Sequence, residues 1–365
     1  MKHILRKFLT ITTIFIATYI IFYLINERQS LLNFKENENF ALLSTENSQF
    51  DEFKNKFKNK PIYIKNYSGD FNLPLKEYII KSSYNTAVTG NYVSNDMIKL
   101  VLSRGCRFID FEIFIIDDVP HVSYSKDNTY TTRDTDNTIV LDSALSTVAS
   151  NAFVNSIPNP KDPIFIHLRV KSNDPKSLKY IAATIDSTLF KTGRLYKDKI
   201  NKNTTLGDVA GKFVVLIDNS NINNYKSLTL CTKNETACYN LDNYINSKSN
   251  NEFYNKKKYI DVFDSTINKA IVDDNTGRTN IQKITIALPD TSATTTSLFS
   301  SDNVENPDIR ELIFRYSIQI SGFKYYNHDD GLLENEDFGL KSLPFSCTGM
   351  QNRSPHSSPE PRVTK

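Results

Sequence analysis

The fold is decided by two stretches of the sequence, PLKEYIIKSSYNTAVTGN at residues 74–91 and LVLSRGCRFIDFEIF at residues 100–114. In the second stretch, Asp110 and Glu112 stand two residues apart in an apolar run of strand length, so their side chains point to the same side of a strand. The stretch PIFIHLR at residues 163–169 places His167 and Arg169 on one strand face in the same way. Because charged side chains on a buried face must be paired, the pattern indicates either an internal layer of salt bridges or a cation or phosphate site.

Apolar runs of strand length alternate with helical stretches from about residue 73 onward. The predicted strands are residues 78–81, 107–116, 121–124, 164–170, 213–217, 283–287 and 318–325, and the predicted helices are residues 96–103, 141–153, 175–190 and 308–316. Strands that alternate with helices are typical of parallel βαβ units, and this number of units favours a closed barrel. The sequence therefore predicts an α/β fold of the (β/α)8 TIM-barrel type, with its site at the carboxyl ends of the strands. The Asn-, Lys- and Ser-rich residues 219–258 are predicted to be a loop insertion.

Charge and composition exclude several classes of protein. The 365 residues carry 44 Lys and Arg against 41 Asp and Glu, a formal net charge of +3. Nucleic-acid-binding proteins usually concentrate a basic excess, so this balance argues against a nucleic-acid partner. A hydrophobic content of 39% is enough to build a core, which excludes a disordered chain. The length suits either two domains or one barrel of about 250 residues with appendages.

An uncharged run, FLTITTIFIATYIIFYLI at residues 8–25, follows Lys2, Arg6 and Lys7. As a helix it would extend about 27 Å, close to the hydrocarbon thickness of a bilayer. The run ends in Asn26 without the small residues of a cleavage site, and this favours a retained transmembrane anchor over a signal peptide. The positive flank keeps the N-terminus cytoplasmic and places the rest on the luminal or extracellular side of the membrane.

The chain is thus predicted to have four parts. They are a transmembrane anchor at 1–26, a polar tether at 27–70, the barrel at 71–327 and a loosely ordered tail at 328–365. Cys231 and Cys238, seven residues apart, would close a local loop in an oxidising compartment and would be free thiols otherwise. Cys106 lies beside an apolar run and is predicted to be a buried small hydrophobe.

The quoted stretches resemble the X region of the phosphatidylinositol-specific phospholipase C family. That family's core reads roughly SSHNTYLTGNQ and then, after a helix, GCRxVELDxWDG; the match extends from Pro74 to about Tyr124 and continues over residues 163–174. The family forms a (β/α)8 barrel and cleaves phosphoinositides, with one histidine as general base and a second that protonates the leaving oxygen. In eukaryotic members a calcium ion assists, and the resemblance implies Asn85, Asp110 and Glu112 as its ligands here.

Three positions depart from the family pattern. Tyr84 stands where the first catalytic histidine is expected, and Tyr124 or Ser125 stands where the second is expected. Arg169 stands where the family has a further calcium ligand, a glutamate. A guanidinium that faces the two carboxylates would occupy the metal's place as a fixed positive charge. Calcium is therefore a possible cofactor, with Arg169 as its alternative.

Other histidines are candidates to replace the missing acid and base. His167 shares a strand face with Arg169, and its alternative role is that of a hydrogen-bonded core histidine. His328 follows the last predicted strand, beside two aspartates. His121 lies three residues from the expected position, which points it to the wrong face.

The sequence leaves two main functions open. The first is a phosphoric diester hydrolase that acts on phosphoinositides or related lipids at a membrane surface, with reduced activity and with Tyr84, Tyr124, His167 and Arg169 as its candidate catalytic residues. The second is a catalytically inactive barrel that binds phospholipid headgroups or a protein partner at the membrane. The loss of each acid–base partner typically costs about 10²–10⁴-fold in rate, which tilts the balance toward little or no turnover. A lectin-like or structural luminal domain is supported only by glycosylation triplets at Asn66, Asn203 and Asn234.

Overall fold

A computed structural model describes residues 46–58, 71–125, 132–222, 224–232, 238–263, 281–289, 305–341 and 350–352. The predicted membrane anchor at residues 8–25 lies outside these ranges, as do most of the predicted tether and the end of the predicted tail. Among the described residues, no helix combines the length and the apolar character needed to cross a bilayer. The site described below lies wholly within the unit Phe50–Lys365.

The strands form two larger sheets and one short pair. They are β1 (Tyr78–Ile80), β2 (Ser83–Tyr84), β3 (Phe108–Ile116), β4 (Val119–Ser123), β5 (Ile139–Val140), β6 (Ile164–Val170), β7 (Phe213–Asp218), β8 (Ser247–Lys248), β9 (Tyr254–Lys258), β10 (Ile284–Leu288), β11 (Ile320–Ser321), β12 (Phe323–Lys324) and β13 (Met350–Asn352). One sheet has the order β5-β4-β3-β6-β7-β8, the other has the order β13-β1-β11-β10-β9, and β2 pairs with β12. A parallel bridge between Ser82 and Phe108 links the segment after β1 to β3.

Helices are interspersed with the strands along the chain. The α-helices are Glu46–Lys58, Asn95–Ser103, Leu141–Asn151, Pro175–Thr188, Leu206–Val209, Tyr225–Leu228, Tyr259–Phe263 and Asp330–Lys341, with 3₁₀ turns at Leu75–Glu77, Phe190–Thr192 and Leu241–Asn243 and a π-helix at Glu311–Arg315. Local signals explain several starts: Asp174 accepts a hydrogen bond from the N–H of Ser177, and Pro175 opens the same helix. The α/β character that the sequence predicts is confirmed.

Strand β4 differs from the prediction of parallel units throughout. It pairs antiparallel with β3, so that the two form a hairpin. Asp117 and Asp118 make the turn with φ angles of 49° and 64°, the left-handed conformation that a two-residue hairpin turn requires. His121 therefore belongs to an antiparallel strand between β3 and β5, and not to a parallel strand as expected.

The packed region extends beyond the predicted boundaries at both ends. Helix Glu46–Lys58 begins inside the predicted tether and buries Phe53 and Phe57, because its apolar residues recur at helical spacing. Helix Asp330–Lys341 lies in the predicted tail and buries Leu332 and Glu336. Buried side chains thus anchor both segments. The low average hydrophobicity of these segments gave no sign of this burial in the sequence.

The segment 219–258 is also more regular than predicted. It supplies β8 and β9, and β9 pairs in parallel with β10 over five residue pairs from Tyr254 to Lys258. Within the same segment, Cys231 and Cys238 form a disulfide with their Cα atoms 5.6 Å apart. Cys106 is a free, buried cysteine, as expected.

Candidate active site

The pairing of β3 with β6 assembles the charged residues that the sequence singles out. In this parallel ladder Asp110 lies opposite His167, and Glu112 lies opposite Arg169. All four side chains are buried. Since alternate residues of a strand share a face, the two same-face pairs become one cluster of four.

Asp110 is the centre of this cluster. One carboxylate oxygen, Oδ1, lies 2.8 Å from Nδ1 of His167 and 3.0 Å from Nε of Arg169. The other, Oδ2, accepts from Nη2 of Arg169 at 2.9 Å and from the backbone N–H of Asn85 at 3.1 Å. Burial alone would raise the pKa of Asp110, but the Arg169 charge and the His167 hydrogen bond outweigh it and bring the pKa to about 2.

This pKa gives a testable pH dependence of stability. An unfolded aspartate titrates near 3.8, so the depressed folded value adds stability that is complete above about pH 4 and is lost as the pH falls through about 2. The free energy of unfolding of the wild type is therefore expected to fall more steeply than that of Asp110→Asn between about pH 5 and pH 2. Urea titrations at several pH values measure both slopes. Equal slopes would contradict the assignment of this titration to Asp110.

Arg169 contacts every oxygen-bearing side chain that the resemblance implies as a metal ligand. Besides Asp110, its Nη2 donates to Oδ1 of Asn85, and its Nη1 lies 3.4 Å from Oε2 of Glu112. The ring of Tyr84 covers the guanidinium, with the ring centroid 4.6 Å from Cζ. Burial alone would lower the pKa of Arg169, but Asp110, Tyr84 and Glu112 raise it well above its ordinary value, so the side chain stays charged.

The loop after β2 brings Asn85 to the cluster. Asn85 has a φ of 46°, the left-handed conformation that asparagine tolerates better than most residues. The following residue fixes the loop to β3, because the N–H of Thr86 donates to the Asp110 carbonyl and Oγ1 of Thr86 accepts from the Asp110 N–H, both at 2.9 Å. The SSYNT stretch is therefore a backbone brace for Asp110 as well as a source of side chains.

Glu112 belongs to a second ion pair at the edge of the cluster. Its Oε1 lies 2.9 Å from Nζ of Lys171, just beyond the end of β6. Its Oε2 is 3.4 Å from the backbone nitrogen of Ser125, which donates to it. Two carboxylates, Asp110 and Glu112, are thus balanced by two cations, Arg169 and Lys171.

The two tyrosines at the family's histidine positions lie in different surroundings. Tyr84 is 1% exposed, and among the described residues its hydroxyl has no hydrogen-bond partner. Burial raises the pKa of Tyr84 well above its ordinary value, and this makes it a poor base near neutral pH. Tyr124 is half-buried and packs against the ring of Tyr326 at 6.0 Å between centroids.

The three histidines of the described ranges do not meet at one reaction centre. His167 is completely buried beneath Asp110 and stacks on Phe108 at 5.5 Å between ring centroids. This is the hydrogen-bonded core position that the sequence left open as its alternative. His121 pairs with Oγ1 of Thr138 at 2.9 Å, and the ring of His328 lies 5.4 Å from that of Phe57.

A cavity of about 240 Å³ opens beside this cluster. Arg169 and Tyr84 form part of its wall, and the rest is lined by Lys171, Asp218, Ser220, Asn221, Lys256, Lys257, Lys258, Leu288 and Pro289. At the far wall, Nζ of Lys256 lies 2.5 Å from Oδ2 of Asp218 and 3.0 Å from Oγ of Ser220. The cavity is therefore concave and strongly cationic.

The lysines of this wall were not predicted as site residues. The run Lys256-Lys257-Lys258 was placed in a loop insertion, whereas it forms the end of β9. One signal was present in the sequence: Lys171 continues the alternation of His167 and Arg169 beyond β6. No comparable local signal joins β9 to β6, because the two strands belong to different sheets and their proximity depends on the tertiary fold.

The arrangement does not fit a calcium ion. Calcium takes six to eight oxygen ligands, yet the oxygens of Asn85 and Asp110 accept hydrogen bonds from Arg169. Glu112 is shared between Arg169 and Lys171. Among the described residues, no group of three His, Cys, Asp or Glu side chains is placed to hold a metal ion.

Comparisons with known proteins agree with this geometry. Residues 71–218 match the family model of the phosphatidylinositol-specific phospholipase C X domain. The crystal structure of L. pealei PLC21 aligns with a TM-score of 0.53 at 15% identity, covering 77% of this chain and 37% of that one. That of S. officinalis PLC21 aligns with a TM-score of 0.54 at 14% identity, covering 80% of this chain and 38% of that one. No curated protein gives a significant match.

These findings differ in what they establish. At such low identity the two PLC21 structures show a shared α/β fold only. This chain spans less than two-fifths of the length of either one. The matched segment contains β3, β6 and β7 and all the predicted site residues from Tyr84 to Arg169. Residues 71–218 therefore belong to the X-domain family of phosphatidylinositol-specific phospholipase C.

Proposed function

We propose that this protein binds the phosphate-bearing headgroup of a membrane phospholipid in the cavity beside Arg169, and that it hydrolyses the phosphodiester slowly or not at all. The observation that carries the proposal is the composition of the cavity wall. Five cationic side chains line it, together with one carboxylate and no histidine. Such a wall favours an anion but lacks the usual proton carriers.

Three of the cations that line the cavity form ion pairs within the fold. Asp110 pairs with Arg169, Glu112 pairs with Lys171, and Asp218 pairs with Lys256. Because five cationic side chains and the single carboxylate of Asp218 line the cavity, its lining is net positive. A phosphate group would complement this excess, and the hydroxyl-bearing Ser220 and the amide of Asn221 offer further hydrogen bonds.

Low turnover follows from the positions of the candidate acids and bases. Hydrolysis of the family type needs one group to take a proton from the attacking hydroxyl and another to protonate the leaving oxygen. Tyr84 stays protonated near neutral pH, and His167 is completely buried against Asp110 and does not line the cavity. Two missing partners would reduce the rate by roughly 10⁴-fold or more.

Hydrolysis of phosphoinositides or related lipids is the second candidate. The observation that favours it is the retained Asn85–Asp110–Arg169 network, which would stabilise negative charge that develops on a phosphate in the transition state. In that case Tyr84 or Tyr124 would have to serve as acid or base.

We further propose a membrane location and a closed barrel. The run at residues 8–25 would anchor the chain with its N-terminus in the cytoplasm, and the Cys231–Cys238 disulfide and the exposed Asn203 triplet support a luminal or extracellular domain. Parallel strands that neighbour each other in chain order, from β6 to β8 and from β9 to β11, support a (β/α)8 arrangement.

Titration of the full chain with myo-inositol 1-phosphate tests the binding proposal. The variant Lys257→Ala/Lys258→Ala is expected to bind about 30-fold more weakly, at about 1 kcal/mol for each lysine. The matched control Lys191→Ala/Lys202→Ala removes two exposed lysines outside the cavity and should bind like the wild type. Inorganic phosphate and glycerol 3-phosphate, titrated in parallel, show whether the inositol ring contributes.

Turnover is measured on phosphatidylinositol in mixed micelles, with and without calcium. Robust hydrolysis that Asp110→Ala abolishes would overturn the proposal of little turnover and favour the second candidate. Equal affinity in the wild type and in the cavity variant would exclude the cavity as the binding site.

A further inference from the structure

We infer that the guanidinium of Arg169 permanently replaces the calcium ion that the family resemblance implies, so that the cation of this site is part of the chain. The inference concerns the ligand residues themselves and holds whether or not the cavity binds a headgroup. The evidence is that the Arg169 side chain contacts the oxygens of all three implied calcium ligands.

The contacts of Arg169 cover the implied ligand set. Its Nε lies 3.0 Å and 3.1 Å from the two Asp110 oxygens, and Nη2 donates to Oδ2 of Asp110 at 2.9 Å and to Oδ1 of Asn85. Its Nη1 faces Glu112 at 3.4 Å. A calcium ion would need these same oxygens, and the guanidinium would have to leave before they could bind it.

Two neighbours hold the guanidinium in place. The ring of Tyr84 lies against it with Cζ 4.6 Å from the ring centroid, a cation–π contact in a buried setting. Behind the carboxylate, Nδ1 of His167 fixes Oδ1 of Asp110 at 2.8 Å. Displacement of Arg169 would therefore break its contact with the Tyr84 ring and its hydrogen bonds to Asp110.

The charge balance of the cluster also opposes a metal. Asp110 and Glu112 carry two negative charges, and Arg169 and Lys171 carry two positive charges. A divalent cation would leave this buried group with an excess of two positive charges while Arg169 is in place, or of one if the guanidinium withdrew, and either excess is unfavourable in a buried setting. The cluster is complete as it stands.

A substitution that restores the family's glutamate should reverse this property. In Arg169→Glu the built-in cation is removed and a third carboxylate joins Asp110 and Glu112 beside Asn85. Three carboxylates and an amide oxygen form a hard-oxygen set of the kind that calcium prefers. Calcium should leave the stability of the wild type unchanged and should increase the stability of the variant.

The test is the melting temperature of the full chain in chelator and in calcium. The wild type is expected to change by less than about 1 °C, whereas Arg169→Glu is expected to rise by about 5 °C when calcium exceeds its dissociation constant 100-fold. Lys191→Glu makes the same charge change at an exposed position and should show no rise. Magnesium, offered at the same concentration, controls for general screening of negative charge.

Two results would overturn the inference. One is a calcium-dependent rise of several degrees in the melting temperature of the wild type, which would mean that Asn85, Asp110 and Glu112 bind calcium. The other is a folded Arg169→Glu variant that gives no heat of calcium binding by calorimetry. If Arg169→Glu does not fold in chelator, recovery of its circular dichroism signal on calcium addition supports the inference, and no recovery counts against it. Headgroup titration is a separate readout, so failure of the proposed function does not alter this result.

Discussion

Asp110→Ala is expected to lower the free energy of unfolding by about 3–5 kcal/mol, because removal of one partner from a buried charge pair leaves the other uncompensated. Asp110 is completely buried and receives hydrogen bonds from Arg169 and from the backbone of Asn85, besides its contact with His167. Without it, the Arg169 guanidinium keeps the oxygen of Asn85, the more distant Glu112 and the ring of Tyr84. Denaturation in urea, with the midpoint and the slope fitted separately, measures the loss.

An exposed aspartate provides the matched control. Asp96 forms a 2.7 Å pair with Lys99 in which both side chains are about half exposed, and Asp96→Ala should cost about 0–1 kcal/mol. The double variant Asp110→Ala/Arg169→Met removes both partners, so it should lose less than the sum of the two single variants. Strict additivity, or a loss for Asp110→Ala as small as that of Asp96→Ala, would mean that the cluster is not coupled.

Glu336→Ala is expected to have a similarly large effect at the opposite end of the sequence. Glu336 lies on helix Asp330–Lys341 and is nearly inaccessible to solvent. Its Oε1 lies 2.7 Å from Nζ of Lys81 and from the hydroxyl of Tyr325, and its Oε2 accepts from Nε of Arg104 at 2.6 Å. Removal of this carboxylate takes an ion-pair partner from two largely buried cations, which should cost about 3–5 kcal/mol of unfolding free energy.

Glu334→Ala, on the same helix, separates this effect from a change in helix propensity. Glu334 is half-buried and lies outside the ion-pair network, so its substitution should change stability by about 0.5 kcal/mol or less. Urea unfolding of both variants, with the far-ultraviolet circular dichroism signal as readout, compares the two. Equal losses would show that the Lys81–Arg104–Glu336 network does not anchor the helix.

The residues of the buried charged cluster around Asp110 were largely predictable from strand periodicity. Asp110 and Glu112, and then His167 and Arg169, alternate within apolar runs, and a period of two residues is a property of any strand. The register that sets Glu112 opposite Arg169 was not predictable, because pairing between strands more than fifty residues apart depends on the whole sheet.

The predictions that failed concern a segment held by distant contacts and a local turn. Residues 328–341 were assigned to a loose tail because their apolar periodicity is weak, yet Glu336 fixes the helix through Lys81 and Arg104. The hairpin of β3 and β4 was missed because a pair of aspartates at its turn was not interpreted as a left-handed turn.

The sequence by itself determined the α/β class, the family of residues 71–218 and the identity of the buried charged residues, since these depend on local alternation and on motifs that adjoin along the chain. The tertiary structure alone decided that the guanidinium of Arg169 lies among the oxygens of Asn85, Asp110 and Glu112, and that the lysines of β9 complete the cavity wall. The reason is physical: side-chain direction along one strand follows from the backbone, whereas the partner of a buried charge is chosen by the packing of strands that are remote in the chain.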